Sequence, residues 1–221
     1  MRDRYEKIRI KENEIYESIE GVSFPTSKST GNELFDKGLE WLCQNAECIL
    51  DFGCGNGTLL FLCFLRGTKK HIGIDLSDSA IRLAEKRKSL ASNGDFSFIN
   101  GGVEKLNTMQ DIKFDAIVLS NVIDNLYPED AINLLKKAQL LLKPTGKVLV
   151  KVNPYIEKHQ IQEWGIKVIK DNFLDDGFYL WNNTTNEWIN IFSDYFVIVE
   201  CQDIYYPEHD MYNRMFLLMK K

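Results

Sequence analysis

The 221-residue chain reads as an α/β fold, a three-layer sandwich in which helices cover both faces of a mostly parallel sheet. Two observations predict this. Between Asn45 and Lys151 short β-like runs alternate with helical segments, the pattern of a parallel sheet with right-handed crossovers. After Asn153 the alternation stops. The last two apolar runs, YFVIVECQDIYY and RMFLLMKK, are joined by YPEHDMYN, too short for a crossover helix, so they should pair antiparallel. The expected sheet is seven-stranded with an antiparallel last strand. N-terminal helices precede it, and a β-hairpin insert follows strand five.

Taken in order, residues 1–45 read as a helical cap, with Thr30-x-x-Glu33 as a capping box for a helix through Trp41. CILDF (48–52) is the first strand, followed by a glycine turn and a helix through TLLFLCFLR. HIGID (71–75) is the second. Ser77 then caps a helix that buries Ala80, Ile81, Leu83 and Ala84. FSFIN (96–100) is the third strand. FDAIVLS (114–120) is the fourth, nearly all apolar after Asp115, as a strand covered on both faces should be. Pro128 opens a helix through Leu142, its missing N–H harmless in the first turn; Pro144 and Gly146 end it, and KVLVKV (147–152) is the fifth strand. The single domain, 1–221, thus divides into the cap, a core over 46–152, an insert over 153–183 and a C-terminal helix and strand pair over 184–221. Within the insert, GIKVIKDNFLDDGFYLW is expected to be a hairpin turning at Asp175-Asp176-Gly177.

Composition narrows the function. Apolar content of 44% and charged content of 27% are ordinary for a globular domain. A formal net charge of −5 argues against a nucleic-acid backbone as main partner, which requires clustered Lys and Arg. The run Arg82–Lys88 carries Glu85 at helical spacing and reads as a solvated helix face. The five cysteines include no CxxC pair, so neither a zinc site nor a disulfide framework is suggested. Reduced thiols, no apolar leader in MRDRYEKIRI and no run approaching about 20 apolar residues point to a cytoplasmic protein without a membrane partner.

The stretch ILDFGCGNG, Ile49 to Gly57, carries the strongest functional signal. In an open parallel sheet, ligands bind beyond the carboxyl ends of the strands where strand order reverses. Gly53, Gly55 and Gly57 follow the first strand directly. Glycine lets a ligand lie against bare backbone, and the next helix turns its free N–H groups toward it. The second strand ends in Asp75, about twenty residues further on, where a carboxylate can accept both hydroxyls of a ribose. Together these specify an adenosine-containing ligand. Two features disfavour a nicotinamide dinucleotide: Thr58 stands where GxGxxG has its third glycine, and Asp51 precedes the loop, where an acid suits a cation and repels a pyrophosphate.

LDFGCGNG, IGIDLS and FDAIVLSNVIDNL, in this order and spacing, resemble the class I S-adenosylmethionine-dependent methyltransferases, which have a Rossmann-like fold. The resemblance covers about residues 45–152, and the terminal strand pair agrees with the family's antiparallel seventh strand. It implies S-adenosyl-L-methionine as cosubstrate, with Asp51, Gly53, Cys54 and Gly55 at its methionine end and Asp51 on the ammonium. Asp75 takes the ribose hydroxyls, Leu76 packs on the adenine, and Ser120 and Asn121 pass beside the methionine moiety. Gly102 and Val103 fall at the adenine, where Gly102 replaces the usual acid and leaves the Val103 N–H as the expected contact. The frequent His pair after strand four is Asp124-Asn125 here.

A base is needed if the acceptor is a hydroxyl or ammonium; Asp124 is the first candidate, with His159 and His209 as alternatives. The acceptor pocket is expected from the cap, the insert and the last loop, which hold Tyr16 and Phe24; Tyr155, Trp164, Phe178, Tyr179 and Trp181; and Tyr205, Tyr206 and Tyr212. Aromatic walls suit a small, partly apolar acceptor, although alternating residues such as Phe178 and Leu180 also suit a hairpin core. The reading is methyl transfer to a small molecule. The alternatives are a protein or RNA methyltransferase, a non-catalytic S-adenosylmethionine-binding protein and, more remotely, a nucleotide-dependent oxidoreductase. An Asn-Pro-Pro-Tyr motif after strand four, common in amino-methylating enzymes, is absent.

Overall fold

The computed structural model describes residues 2–91, 93–207 and 210–221. Arg2–Tyr5 form a 3-10 turn that runs into α1 (Glu6–Glu17); residues 18–32 are irregular, and α2 spans Glu33–Cys43. The cap is therefore two helices and an irregular link, where the sequence suggested helix throughout. Asn32, not Thr30, caps α2: its Oδ1 accepts from the backbone N–H groups of Leu34 and Phe35, both at 3.1 Å. Thr30 is held away from the helix, its N–H donating to Asp36 Oδ1 at 2.7 Å. Asn and Thr are both good N-caps, so local preference could not separate them.

The core follows as β1 (Cys48–Phe52), α3 (Thr58–Leu65), β2 (Lys70–Asp75), α4 (Asp78–Lys88), β3 (Asp95–Asn100), β4 (Phe114–Ser120), α5 (Pro128–Leu141) and β5 (Leu142–Val152). Ser77 caps α4, its Oγ accepting from the Ala80 N–H at 3.0 Å. β5 begins earlier than expected because Leu142 already pairs with Phe114 before the register shifts to Ala116 opposite Lys147.

The insert holds α6 (Lys158–Glu163) and then β6 (Lys167–Lys170), β7 (Phe173–Asp175) and β8 (Tyr179–Trp181), a three-stranded antiparallel sheet in place of one hairpin. The expected turn joins β7 to β8. The unexpected one follows β6 at Asp171, whose φ of +51° is a left-handed conformation that Asp tolerates.

After α7 (Thr185–Ser193), the strands β9 (Phe196–Tyr206) and β10 (Met211–Lys220) complete a seven-stranded sheet of order β3-β2-β1-β4-β5-β10-β9. β10 runs antiparallel to both neighbours. β1 lies between β2 and β4, so the strand order reverses there, and the carboxyl edge at that point is where such sheets bind ligands. Alternation along β1 divides the core. Ile49 joins Leu39, Leu42 and Phe61 on one face, while Leu50 and Phe52 join Leu134, Trp188 and Phe192 on the other. Asp51 shares the Ile49 face and is 1% exposed, a carboxylate placed inside the core. Among the described residues no helix is long and apolar enough to cross a membrane.

Candidate functional site

A cavity of about 240 Å³ lies at the switch point. Its floor is Gly53 after β1, Asp75 and Leu76 at the end of β2, Gly102 and Val103 after β3, and Ser120 and Asn121 at the end of β4. Four separate stretches of sequence thus converge because each ends a strand at the same sheet edge. The roof is one face of the N-terminal segment: Tyr5, Ile8, Glu12 and Tyr16 recur at the three- and four-residue spacing that aligns side chains on a helix. Of these four, sequence reasoning had noted only Tyr16. Glu12 was missed because an acid on an otherwise polar helix reads as solvated.

The glycine loop is pressed from two sides. Gly53 and Gly55 have φ of +78° and +51°. A Cβ on Gly53 would lie 2.8 Å from the Val122 side chain, and one on Gly55 would overlap the Tyr16 hydroxyl. The missing side chains therefore admit the chain's own roof and the exit of β4. Cys54 is buried, with its sulfur against Gly73, and does not line the cavity.

The electrostatics are one-sided. Among the described residues no Lys, Arg or His lines the cavity, whereas Glu12, Asp75 and Glu104 do. Beneath the loop, neither carboxylate oxygen of Asp51 has a hydrogen-bond partner. Burial, and then the nearby charge of Asp75, push its pKa up to about 8. Asp75 accepts from the Gly55 N–H at 2.7 Å and the Ser77 N–H at 2.8 Å, yet burial still raises its pKa above the ordinary carboxylate value. Glu12 is pushed up to about 8, mainly by burial and then by Asp75. A cavity with such a concentration of desolvated acid favours a positively charged ligand.

The adenine side differs from expectation in one respect. The Glu104 carboxylate folds back toward Gly102, accepting its N–H at 2.9 Å and lying 2.9 Å from where a Gly102 Cβ would stand. An acid is therefore present at the position that Gly102 leaves bare. Asn121 adopts φ of +52°, held by its N–H donating to the Lys151 carbonyl at 2.7 Å. Asn, like Asp, tolerates this left-handed conformation.

Asp124 is the main correction. It is fully buried and does not line the cavity. Its Oδ2 accepts from the Asn153 N–H at 2.7 Å, so it anchors the chain leaving β5. Burial raises its pKa, opposed by the Asn153 bonds and the Arg214 charge. Its carboxylate thus lies on the backbone of Asn153 and outside the cavity lining. His159 is exposed on α6, away from the cavity, and His209 lies outside the described residues.

The insert is likewise reassigned: no residue of 153–183 lines the cavity. It supports the roof instead. Tyr179 and Phe173 pack with Tyr5 and Ile8, Tyr179 donates to the Arg4 carbonyl at 3.2 Å, and Lys7 pairs with Asp175 at 2.7 Å. Phe178 lies under the Lys11 ammonium, Phe24 packs on Phe61, and Trp181 packs on Trp188. Trp164 and Tyr212 are exposed. Tyr155 is half-buried and does not line the cavity.

The comparisons with known proteins accord with this geometry. Residues 44–187 match the family described as "Methyltransferase domain". The ribosomal protein L11 methyltransferase of Streptococcus pyogenes serotype M3 (strain ATCC BAA-595 / MGAS315) is 25% identical over 165 residues, covering 68% of this chain and 50% of the relative. The chain thus spans about half the length of the curated relatives it matches. Among solved structures, magnesium protoporphyrin IX methyltransferase from Synechocystis PCC 6803 with bound SAH superposes with a TM-score of 0.69 at 16% identity, over 100% of this chain and 98% of that one. The 1,6-didemethyltoxoflavin-N1-methyltransferase of Burkholderia thailandensis, with 1,6-didemethyltoxoflavin and S-adenosylhomocysteine bound, gives 0.68 at 14% identity over 99% and 89%. With its glycine loop, strand order and antiparallel β10, this chain belongs to the methyltransferase-domain family, the class I S-adenosylmethionine-dependent methyltransferases.

Proposed function

We propose that the protein transfers the methyl group of S-adenosylmethionine to a small-molecule acceptor. The observation that carries this reading is Asp51, a buried carboxylate without a partner beneath the glycine loop, behind a cavity whose charged lining residues, among those described, are the acids Glu12, Asp75 and Glu104. Such a site suits the cofactor's positive charges. In this reading Asp51 holds the ammonium and Tyr16 closes over the methionine end. Gly53, Cys54 and Gly55 shape the cradle. Asp75 accepts from the ribose hydroxyls. Leu76, Gly102 and Val103 hold the adenine, with Glu104 accepting from its amino group, and Ser120 and Asn121 flank the methionine moiety.

The cosubstrate supplies a sulfonium leaving group that needs no protein acid. The chain's own contribution is alignment and exclusion of water. Alignment can supply about 7–11 kcal/mol of a barrier, and the α1 roof is built to exclude solvent. Asp124, buried and outside the cavity lining, is not assigned proton removal in this reading.

Enclosure supports a small acceptor: the cavity is covered by α1 and by Val122, Asn125 and Leu126 after β4. Two neighbours are named for small-molecule substrates. A protein acceptor is the second reading, favoured by the name of the sequence relatives. Five free thiols and the absence of a membrane-length helix among the described residues suit the cytoplasm.

Thermal shift with S-adenosylhomocysteine, NAD and NADP tests the cofactor. A ligand at a hundred times its Kd adds about 2.7 kcal/mol, and stabilisation by a dinucleotide alone would sink the reading. Transfer of labelled methyl to a small-molecule library, against ribosomal protein L11, then separates the acceptors.

A further inference from the structure

Lys151 stands one strand from the cavity. It pairs laterally with Ser120 across β4 and β5; paired residues of neighbouring strands face the same side of a sheet and lie about 4.8 Å apart. Ser120 lines the cavity. The Lys151 ammonium lies 4.9 Å from the Phe35 ring centre and 5.2 Å from that of Tyr206, and it donates to the Tyr206 hydroxyl at 3.3 Å.

An ammonium has three donors, and the contrast with Lys147 is instructive. Lys147 lies one lysine earlier on the same face of β5, and its ammonium donates to the carbonyls of both Trp41 and Gln44. Lys151 has one phenolic oxygen. Among the described residues the acid that acts on it is Asp124, itself buried and bonded to Asn153. Burial accordingly lowers the Lys151 pKa to about 8, with Asp124 opposing. A desolvated cation flanked by two aromatic rings, with donors left over and partial exposure to solvent, is built for an anionic partner.

We propose that Lys151 and Tyr206 form an oxyanion-binding pair for the acceptor, which therefore carries a carboxylate or phosphate group. This rests on the methyl-transfer reading, and it complements the acidic cavity. The carboxylates beneath and around the cofactor's place attract its cationic centres, and the ammonium one strand away attracts the acceptor.

Calorimetry on the full chain tests the proposal in two stages. Titration with S-adenosylhomocysteine comes first and reports on the cofactor reading alone. The saturated protein is then titrated separately with benzoate and with inorganic phosphate at low salt. At least one oxyanion is expected to bind. Lys151→Met should weaken it at least about tenfold, the loss expected for a hydrogen bond to a charged group, while leaving the affinity for S-adenosylhomocysteine unchanged. Tyr206→Phe should weaken it less, in the same direction. Preference between benzoate and phosphate identifies the group carried. Absence of binding by either oxyanion, or equal binding to Lys151→Met, overturns the proposal. If Lys151→Met does not fold, unchanged binding to Tyr206→Phe overturns it. Failure of S-adenosylhomocysteine to bind overturns the cofactor reading, and the same titrations on the unsaturated protein then still decide the pair.

Discussion

The residue that links core and site is Asp51, and its ionisation gives opposite predictions for stability and for binding. Its pKa rises from 3.8 to about 8 on folding. Between those values the unfolded chain has lost its proton and the folded chain keeps it, so the ligand-free fold loses stability as pH rises through this window, and the loss is complete above about 8. Asp51→Asn removes that loss. Its unfolding free energy, read in denaturant titrations, is expected to exceed the parent's by a gap that widens from pH 5 to pH 8, on the order of a few kcal/mol at most, and then stays constant. The same variant should lose stabilisation by S-adenosylhomocysteine, since an amide oxygen offers the ammonium an acceptor without the negative charge. Parent affinity should rise toward pH 8 as the carboxylate ionises; a flat affinity profile would remove Asp51 from the ammonium site. Asp75→Ala tests the neighbouring carboxylate. It leaves the Gly55 and Ser77 N–H groups unpaired, a cost of about 1–3 kcal/mol in thermal or denaturant unfolding. It should also weaken S-adenosylhomocysteine binding in calorimetry, and parental affinity would refute the ribose role.

At the scale of elements, α1 stands apart. It carries four of its charged or polar anchors on partners far along the chain: Lys7 on Asp175, Arg9 on Asp78, Asn13 on Ser77 and Glu17 on Arg82. These contacts are polar, two of them exposed and two part-buried, and exposed ion pairs contribute little, about 0–1 kcal/mol each. Only Ile8 of α1 is a fully buried hydrophobe, whereas α2 buries Phe35, Leu39 and Leu42. Local opening follows the number of buried apolar contacts. Amides of residues 6–17 are therefore expected to exchange with deuterium well before those of 33–43. S-adenosylhomocysteine should slow the α1 amides selectively, because the roof closes on what the cavity holds. Equal protection of both helices before and after ligand would show that α1 is not a roof that opens. The insert supports the roof at its start: Phe173 and Tyr179 pack with Tyr5, in the turn before α1, and with Ile8, without lining the cavity themselves.

In the whole molecule, stability comes from the sheet buried on both faces, and β10 is central to it. Antiparallel between β5 and β9, it places Phe216 in contact with Phe192, ring centres 5.0 Å apart, and leaves it with no exposed surface. Phe216→Ala is expected to destabilise the fold by about 3–5 kcal/mol, read in denaturant unfolding, with the S-adenosylhomocysteine site intact in the fraction still folded; a loss below about 1 kcal/mol would mean that the α7 side of the core repacks freely. The amino-acid sequence alone determined the alternation that makes a mostly parallel seven-stranded sheet, the antiparallel last pair, the glycine loop and the carboxylates Asp51 and Asp75. Each of these is written in short-range chemistry: periodicity, turn residues, and an acid at a strand end. Tertiary structure decided what depends on distant segments meeting. Asn32 prevailed over Thr30 as the cap of α2 because Asp36 holds the Thr30 N–H. Asp124, at the edge of the sheet in sequence, is turned inward to the backbone of Asn153 and does not line the cavity. Glu12 and Tyr16 became the roof, and Glu104 filled the place left by Gly102, because α1 and the turn after β3 fold back over the same sheet edge. Periodicity shows which face of an element is apolar; which remote residue that face meets is settled only by how the layers pack.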